Sequence, residues 1–279
     1  MGATTDANHR AETLHRATLV VDTCSQFGPS AYTPAMLGRL DDLVASRAPS
    51  WRIIVELESM RHRALVAGEL PGFWEGWADA GVDVVSFTIG AFGPELFTYD
   101  NAIRDLSDWT ETFDALGARL VKVLTAADAE RAHAEGKRGV ILAFQNATHI
   151  GDDLDRLDLF HRFGVRIVQL TYNSRNLLGD GCTERVQAGL SAFGVEAVGR
   201  MNELGILVDV SHCSDATSLD AIETSARPPA ITHAFCASVN KHDRGKGDEV
   251  IRAIGEAGGY FGVCVVPFFI AVDPDPTLR

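Results

Sequence analysis

The sequence predicts an α/β fold on a parallel sheet, either a (β/α)8 TIM-type barrel or an open doubly wound sheet. Seven short apolar runs, most of them continuous rather than alternating, are typical of strands that are buried on both faces. These runs occupy residues 18–22, 82–89, 139–144, 166–171, 206–211, 229–232 and 260–266. Amphipathic helical segments lie between them, at residues 51–67, 153–163, 193–204 and 248–257.

Polar residues just after the apolar runs favour the barrel over the open sheet. Examples are Thr23, Asn146, Asn173, His212 and His233. In a barrel, all such strand ends meet on the one face where active sites form. No GxGxxG turn follows the first run, which argues against a dinucleotide-binding sheet. Seven runs are one short of a closed barrel. We therefore expect residues 1–279 to be a single barrel domain that lacks its last β/α unit and leaves two strand edges unpaired.

Charge and cysteine usage exclude several classes of protein. The 279 residues carry 25 basic and 38 acidic side chains, a net charge of −13, so nucleic acid is not an expected partner. The five cysteines form no CxxC pair, and the polar N-terminus is no signal peptide, so a reducing, cytoplasmic location is predicted. The longest apolar stretch, residues 260–272, is too short to span a membrane.

His212 and His233 are the strongest candidate pair for chemistry. Each follows or ends a buried apolar run, and the two runs are consecutive, so their strands are neighbours in a parallel barrel. Two imidazoles at one rim can share a divalent metal ion. The alternative is that each histidine only forms a hydrogen bond at its strand end.

Further candidates follow the first and third runs and the last loop. Asp22, Cys24 and Gln26 point to one side of the first strand end, where a Cys24 thiolate would bind zinc; a small buried hydrophobe is the alternative. Gln145 closes the third run, where its amide is more simply a hydrogen-bonding group than a metal ligand. Arg244 lies in a polar loop and either grips a substrate carboxylate or is a solvated charge.

The order of several short motifs resembles that of the renal (membrane) dipeptidase family of zinc metallopeptidases, with this chain as a divergent bacterial-type member. The motifs are LTYNSRN at 170–176, GDG at 179–181, GLSAFG at 189–194, MNELGILVDVSH at 201–212, TH at 232–233 and RGKGDE at 244–249. The resemblance implies a (β/α)8 barrel, a cytoplasmic location and a two-zinc site that hydrolyses dipeptides. It places two histidine ligands of one zinc on His212 and His233, and the arginine that binds the substrate carboxylate on Arg244.

Other positions depart from the family pattern. The His-x-Asp ligands of the second zinc fall on Cys24 and Gln26, and the bridging glutamate falls on Gln145. A histidine implied to steady the tetrahedral intermediate falls on Tyr172, which we therefore expect beside the substrate. The catalytic aspartate of the family falls beyond Arg279. With fewer negative charges, the site is expected to bind one zinc tightly rather than two, and to hydrolyse ordinary dipeptides poorly.

Two functions follow from these observations. The first is a metal-dependent hydrolase that cleaves dipeptides or a related small amide. The alternative is a non-catalytic or strongly impaired barrel that binds a small peptide-like ligand. Neither needs a nucleic acid or membrane partner, and a homodimer is one open option for assembly.

Overall fold

The computed structural model describes residues 2–25, 32–90, 96–266 and 269. Eight strands lie within these residues: Val21–Ser25 (β1), Val84–Thr88 (β2), Leu120–Lys122 (β3), Arg138–Phe144 (β4), Val165–Gln169 (β5), Leu207–Asp209 (β6), Ala230–Ala234 (β7) and Tyr260–Val263 (β8). The helices in the same residues are Gly2–Ala17 (α1), Pro34–Ala45 (α2), Ser50–Ala67 (α3), Phe73–Ala80 (α4), Tyr99–Leu116 (α5), Ala126–Ala134 (α6), Asp155–Phe163 (α7), Ala192–Leu204 (α8), Asp215–Thr224 (α9) and Asp248–Glu256 (α10).

The strands alternate with helices, and the strand pairs β1–β2, β3–β4, β5–β6, β6–β7 and β7–β8 are all parallel. The hydrogen-bonded order is β1-β2-β4-β5-β6-β7-β8, and β3 pairs with β4 beside this path. The predicted α/β class of the TIM type is thereby confirmed. The seven predicted runs correspond to the seven strands of the path. The count of seven was nevertheless wrong, because β3 was missed. Unlike β6, which is equally short, β3 is not part of a longer predicted apolar run.

The chain divides into two compact units. The first comprises Met1–Leu96 and Ile103–Leu142, and the second Phe97–Ala102 and Ala143–Arg279. In the first unit Trp109 is fully buried, and its ring lies 4.9 Å from that of Phe87 and 5.2 Å from that of Phe113. His62 also contacts Trp109 and is only 3% exposed. Its Nδ1 lies 2.9 Å from the Thr112 hydroxyl, which satisfies a buried polar atom.

The second unit contains β5 to β8 and the helices that follow them. Helix α8 shows why the local sequence folds as it does: the Ser191 side chain accepts a hydrogen bond from the Gly194 amide, and Gly205 ends the helix at φ 76°. Its buried side chains include Ala197, Val198 and Met201. The same signals predicted a helix at 193–204, within one residue of the structure. Parallel strands of this unit direct their carboxyl ends, and the polar residues there, to one edge.

The β5–α8 loop, residues 170–191, is held by its own polar side chains. The Asn176 amide group donates to the Leu170 carbonyl at 2.7 Å, and its oxygen accepts from the Leu178 amide at 2.8 Å. The Asp180 carboxylate, 2% exposed, pairs with Arg175 and accepts from the Ala188 amide. A loop lacks the regular backbone hydrogen bonds of a helix or sheet. In the β5–α8 loop these side-chain hydrogen bonds take their place and hold the loop in one conformation.

No helix within the described ranges is long and apolar enough to cross a membrane.

Candidate metal and carboxylate site at the strand ends of the second unit

The imidazoles of His212 and His233 face each other at the carboxyl ends of β6 and β7. Their Nε2 atoms are 2.9 Å apart and their ring centroids 4.9 Å apart. His212 is 6% exposed and His233 8% exposed. The two strands are parallel neighbours, with Asp209 opposite Ala230, and this register brings the two rings together.

The hydrogen bonds of the other ring nitrogens determine which atoms carry protons. His212 Nδ1 lies 2.7 Å from the Asn173 side-chain oxygen, which can only accept, so this nitrogen is the donor. His233 Nδ1 lies 2.8 Å from the Thr232 hydroxyl, and that hydroxyl donates its proton to Asp209 at 2.6 Å. His233 Nδ1 is therefore also a donor. In the neutral rings both Nε2 atoms are left with lone pairs that face each other.

Burial keeps both imidazoles neutral at ordinary pH. Desolvation, assisted by the positive charge of Arg244, holds the pKa of His212 well below its usual range. Desolvation also lowers the pKa of His233 to about 4, although the nearby Asp209 charge acts in the opposite direction. The pair therefore presents lone pairs rather than charges.

These shifts predict acid sensitivity of the metal-free protein. Because the folded-state pKa values lie below the ordinary value of about 6.5, the unfolded chain takes up protons first as the pH falls. This stability is fully present above about pH 6.5 and is lost as the pH falls toward 4. We expect urea unfolding to show a loss of roughly 2 kcal/mol from His233 between pH 7 and pH 5, with a further loss in the same direction from His212. His233→Ala should reduce that loss and His9→Ala, at an exposed helical position, should not. An unchanged free energy of unfolding in wild type would contradict the assignment.

Arg244 lies beside the histidine pair and is buried, with 5% of its surface exposed. Its Nη1 donates to the Ser211 carbonyl at 2.6 Å, and its Nη2 donates to the His233 carbonyl at 2.9 Å. The buried Nε has no hydrogen-bond partner among the described residues, and no carboxylate there forms an ion pair with the guanidinium. The reading of Arg244 as a solvated loop charge was therefore wrong. A buried cation without a counter-ion is costly unless a ligand supplies the negative charge.

Lys246 adds a second buried cation. It is 1% exposed, and its Nζ donates to the Cys213 carbonyl at 2.6 Å and to the Ser218 hydroxyl at 2.9 Å. Burial lowers the pKa of Lys246, and the charge of Arg244 lowers it further. In a chain of net charge −13, this neighbourhood is locally positive and suits an anionic ligand.

Tyr172 forms an aromatic wall beside the pair. Its ring stacks on that of His212, with centroids 4.1 Å apart and an interplanar angle of 19°. The Phe97 ring also packs against Tyr172, with the two ring centroids 5.1 Å apart. The phenol is half-buried, so Tyr172 restricts how the His212 ring can rotate while remaining accessible to a ligand.

The other predicted site residues lie in β1 or follow β1 and β4. Gln145 follows β4, is 6% exposed, and accepts a hydrogen bond from the Gln169 side chain at its backbone carbonyl. Cys24 is half-buried in β1 of the first unit, and its backbone amide donates to the Asp22 carboxylate at 3.0 Å. Gln26 lies outside the described residues. The structure thus brings together His212, His233 and Arg244, with Tyr172 stacked against His212.

Two residues that hold the pair were not assigned a role from the sequence. Asn173 adopts φ 60°, a left-handed conformation that Asn tolerates, and orients His212. Asp209 is a lone acidic residue inside an apolar strand and is 2% exposed. An isolated carboxylate in a buried run was the available signal, since a buried charge needs strong partners.

Comparison with known proteins bears on this site directly. The family model described as "Membrane dipeptidase (Peptidase family M19)" matches residues 81–279 of the chain, which include every residue of the histidine and arginine cluster.

The chain belongs to the membrane dipeptidase family.

Similar members come from fungi and bacteria. Dipeptidase tcpJ from Claviceps purpurea is 30% identical over 152 residues, which is 54% of this chain and 36% of that protein. The crystal structure of the probable dipeptidase PvdM from Pseudomonas aeruginosa has a TM-score of 0.71 at 20% identity, covering 95% of this chain and 64% of that one. A metallopeptidase from Rhodobacter sphaeroides, solved with a phosphinate mimic of the dipeptide L-Ala-D-Ala, has a TM-score of 0.64 at 22% identity, covering 70% and 65%.

This member of the membrane dipeptidase family spans about a third of the length of Dipeptidase tcpJ. It spans about two thirds of the length of each of the two solved structures. The structural likeness supports the shared fold, in line with the strand and helix order described above.

Proposed function

We propose that the chain is a metal-dependent hydrolase of the dipeptidase type, which cleaves dipeptides or a related small amide at the His212–His233 pair. One observation carries this proposal: two buried imidazoles face each other with their Nε2 atoms 2.9 Å apart, beside a buried arginine that has no counter-ion among the described residues. The names of the relatives, dipeptidases and a metallopeptidase bound to a dipeptide mimic, support the same substrate class.

The residues of the pair fit a metal ion. Two lone pairs whose atoms are 2.9 Å apart repel each other unless a cation or a proton lies between them, and the hydrogen bonds at Nδ1 leave no proton for either Nε2. Neutral imidazole nitrogen is a common zinc ligand, and two zinc–nitrogen bonds of about 2.0–2.1 Å can span such a pair with small ring movements. We propose zinc as the metal, held by His212 and His233. When bound, zinc supplies a Lewis acid that lowers the pKa of a bound water toward about 7.

The chain's own residues bind and orient the substrate. Arg244 binds the terminal carboxylate of a dipeptide through the N–H groups that its two carbonyl contacts leave free. The Tyr172 phenol lies beside His212, where it is positioned to donate a hydrogen bond to an oxygen that becomes negative during the reaction. The low exposure of both histidines keeps competing water away from them.

The second metal position rests on the family resemblance alone. Cys24, Gln26 and Gln145 stand where the family has ligands, and the described residues contain no group of three His, Cys, Asp or Glu side chains placed to hold a metal ion. This observation favours a second candidate function, a barrel that binds a peptide-like ligand with little or no turnover. Catalytic zinc sites commonly have three protein ligands, whereas the pair supplies two.

A zinc titration combined with a dipeptide panel tests the proposal. We expect the chelated protein to bind one zinc per chain tightly, and zinc to restore hydrolysis of at least one dipeptide. His233→Ala should bind no zinc tightly and show no zinc-dependent hydrolysis. His161→Ala, a histidine on α7, is the matched control and should behave as wild type.

Each other outcome decides between the functions. Zinc binding with dipeptide affinity but without hydrolysis would establish the binding-protein alternative. If His233→Ala changes neither zinc content nor hydrolysis, the histidine pair is not the metal site and the proposal is wrong.

A further inference from the structure

Asp209 is a buried carboxylate whose hydrogen bonds, within the part of the chain that the structure describes, come from residues next to the two histidines. Its Oδ1 accepts from the Ser211 amide at 2.9 Å, the Ser211 hydroxyl at 2.5 Å and the Thr232 amide at 3.2 Å. Its Oδ2 accepts from the Thr232 hydroxyl at 2.6 Å. Ser211 precedes His212 and Thr232 precedes His233, so one carboxylate ties both strand ends together.

The proton of the Thr232 hydroxyl links Asp209 to His233. A hydroxyl has a single proton, and a carboxylate can only accept, so this proton points to Asp209. Ser211 Oγ, 3.1 Å from the Thr232 oxygen, directs its own proton to Asp209 Oδ1 at 2.5 Å, so the Thr232 oxygen is left to accept from His233 Nδ1 at 2.8 Å. A neutral imidazole has one N–H, and placing it at Nδ1 leaves the lone pair at Nε2.

We propose that Asp209 is a positioning residue that, through the Thr232 hydroxyl, fixes His233 in the tautomer whose Nε2 lone pair faces His212. The inference deepens the proposed function, because this tautomer is the one that can bind the metal. Outer partners of this kind fix the orientation and tautomer of metal-binding histidines. Asp209 acts indirectly, because the group that contacts the His233 ring is the Thr232 hydroxyl.

Replacing Asp209 with Asn is expected to reverse the direction of the hydrogen bonds that run from residue 209 through Thr232 to His233. The two backbone amides at Oδ1 can only donate, so the amide oxygen of the new side chain must take that position. Its NH2 group is then directed at the Thr232 hydroxyl and donates to it. The Thr232 hydroxyl proton then turns to His233 Nδ1 at 2.8 Å, which is nearer than the other possible acceptor, Ser211 Oγ at 3.1 Å. The ring in response carries its own proton at Nε2, where it blocks metal binding.

The test measures the His233 tautomer by NMR of the ring nitrogens in metal-free protein, and zinc affinity separately. Wild type is expected to show Nδ1–H, and Asp209→Asn to show Nε2–H with zinc affinity weakened about 10–100-fold. Thr232→Ser keeps the hydroxyl and should retain both wild-type properties. Thr232→Val removes it and should populate both tautomers, with weaker zinc binding.

The His233 tautomer distinguishes a positioning role of Asp209 from a merely structural one. Asp209→Asn that remains folded with His233 still protonated at Nδ1 would overturn the inference. If Asp209→Asn does not fold, the Thr232→Val and Thr232→Ser pair decides, since identical tautomers in both would also overturn it. Failure of wild type to bind zinc would refute the proposed function, whereas the metal-free tautomers would still report on Asp209.

Discussion

Replacing Arg244 with methionine is expected to lower kcat/KM for dipeptides with a free carboxylate by about 100-fold or more. Arg244 is buried, no carboxylate among the described residues pairs with it, and its Nε has no partner there. Removing one partner of a buried, hydrogen-bonded charge pair costs about 2–5 kcal/mol. Lysine should restore little of the loss, because a point charge lacks the planar fork that matches a carboxylate.

The substrate provides the control for this prediction. Dipeptides with an amidated C-terminus lack the carboxylate, so Arg244→Met should change their kcat/KM much less than that of the free acids. Arg185→Met removes an exposed arginine of the β5–α8 loop and should leave both substrates unaffected. The methionine variant also loses donors to the Ser211 and His233 carbonyls, so its Tm and zinc content are measured in parallel. Equal losses for free acids and amides would show that Arg244 does not bind the carboxylate.

Replacing Gly181 with alanine is expected to destabilise the protein by about 3 kcal/mol and to weaken zinc binding. A Cβ at this position would lie 2.0 Å from the Asn173 carbonyl oxygen and 2.1 Å from its carbon. These are backbone atoms of the residue that holds His212, so relief of the clash must move Asn173. We expect urea unfolding to show the loss of stability and a zinc titration to show lower affinity.

Gly199 provides the matched control. It lies within α8, and an added Cβ there meets nothing within 4 Å. Gly199→Ala should raise stability by up to about 1 kcal/mol, because alanine is the better helix former, and should leave zinc affinity unchanged. If Gly181→Ala is as stable as wild type, the close approach of the loop to Asn173 does not occur in solution.

The parts of the fold that could be predicted are those with a strong local signal. The helix at 193–204 has a serine at its start, a glycine after its end and an apolar face, and the structure has α8 at Ala192–Leu204. The strand β3 has three residues and, unlike the equally short β6, is not part of a longer predicted apolar run. His62 lies in a predicted helical segment, and the contacts that bury it against Trp109 and Thr112 are tertiary contacts that sequence alone does not show.

The candidate metal ligands of the site could be predicted from the sequence, but the residues that hold them in place could not. His212 and His233 follow recognisable strands, and parallel neighbours must place such residues close together. The burial of Arg244 depends on how its loop packs. A loop has no periodic sequence pattern from which its packing could be predicted. The role of Asp209 depends on the direction of single protons through Thr232, and only the distances between these groups make that direction evident.

The two carbonyls that hold the Arg244 guanidinium belong to His233 itself and to Ser211, the residue that precedes His212. The positive charge and the imidazole pair are therefore joined through a few covalent bonds and two hydrogen bonds, with no hinge between them. Under the proposed function, this short connection sets the reach from a bound carboxylate to the reacting carbonyl. We therefore expect an added backbone carbon, as in a β-linked dipeptide, or an added residue, as in a tripeptide, to displace the scissile bond from the imidazoles. Substrate length, rather than side-chain identity, is the property that we expect this part of the protein to select.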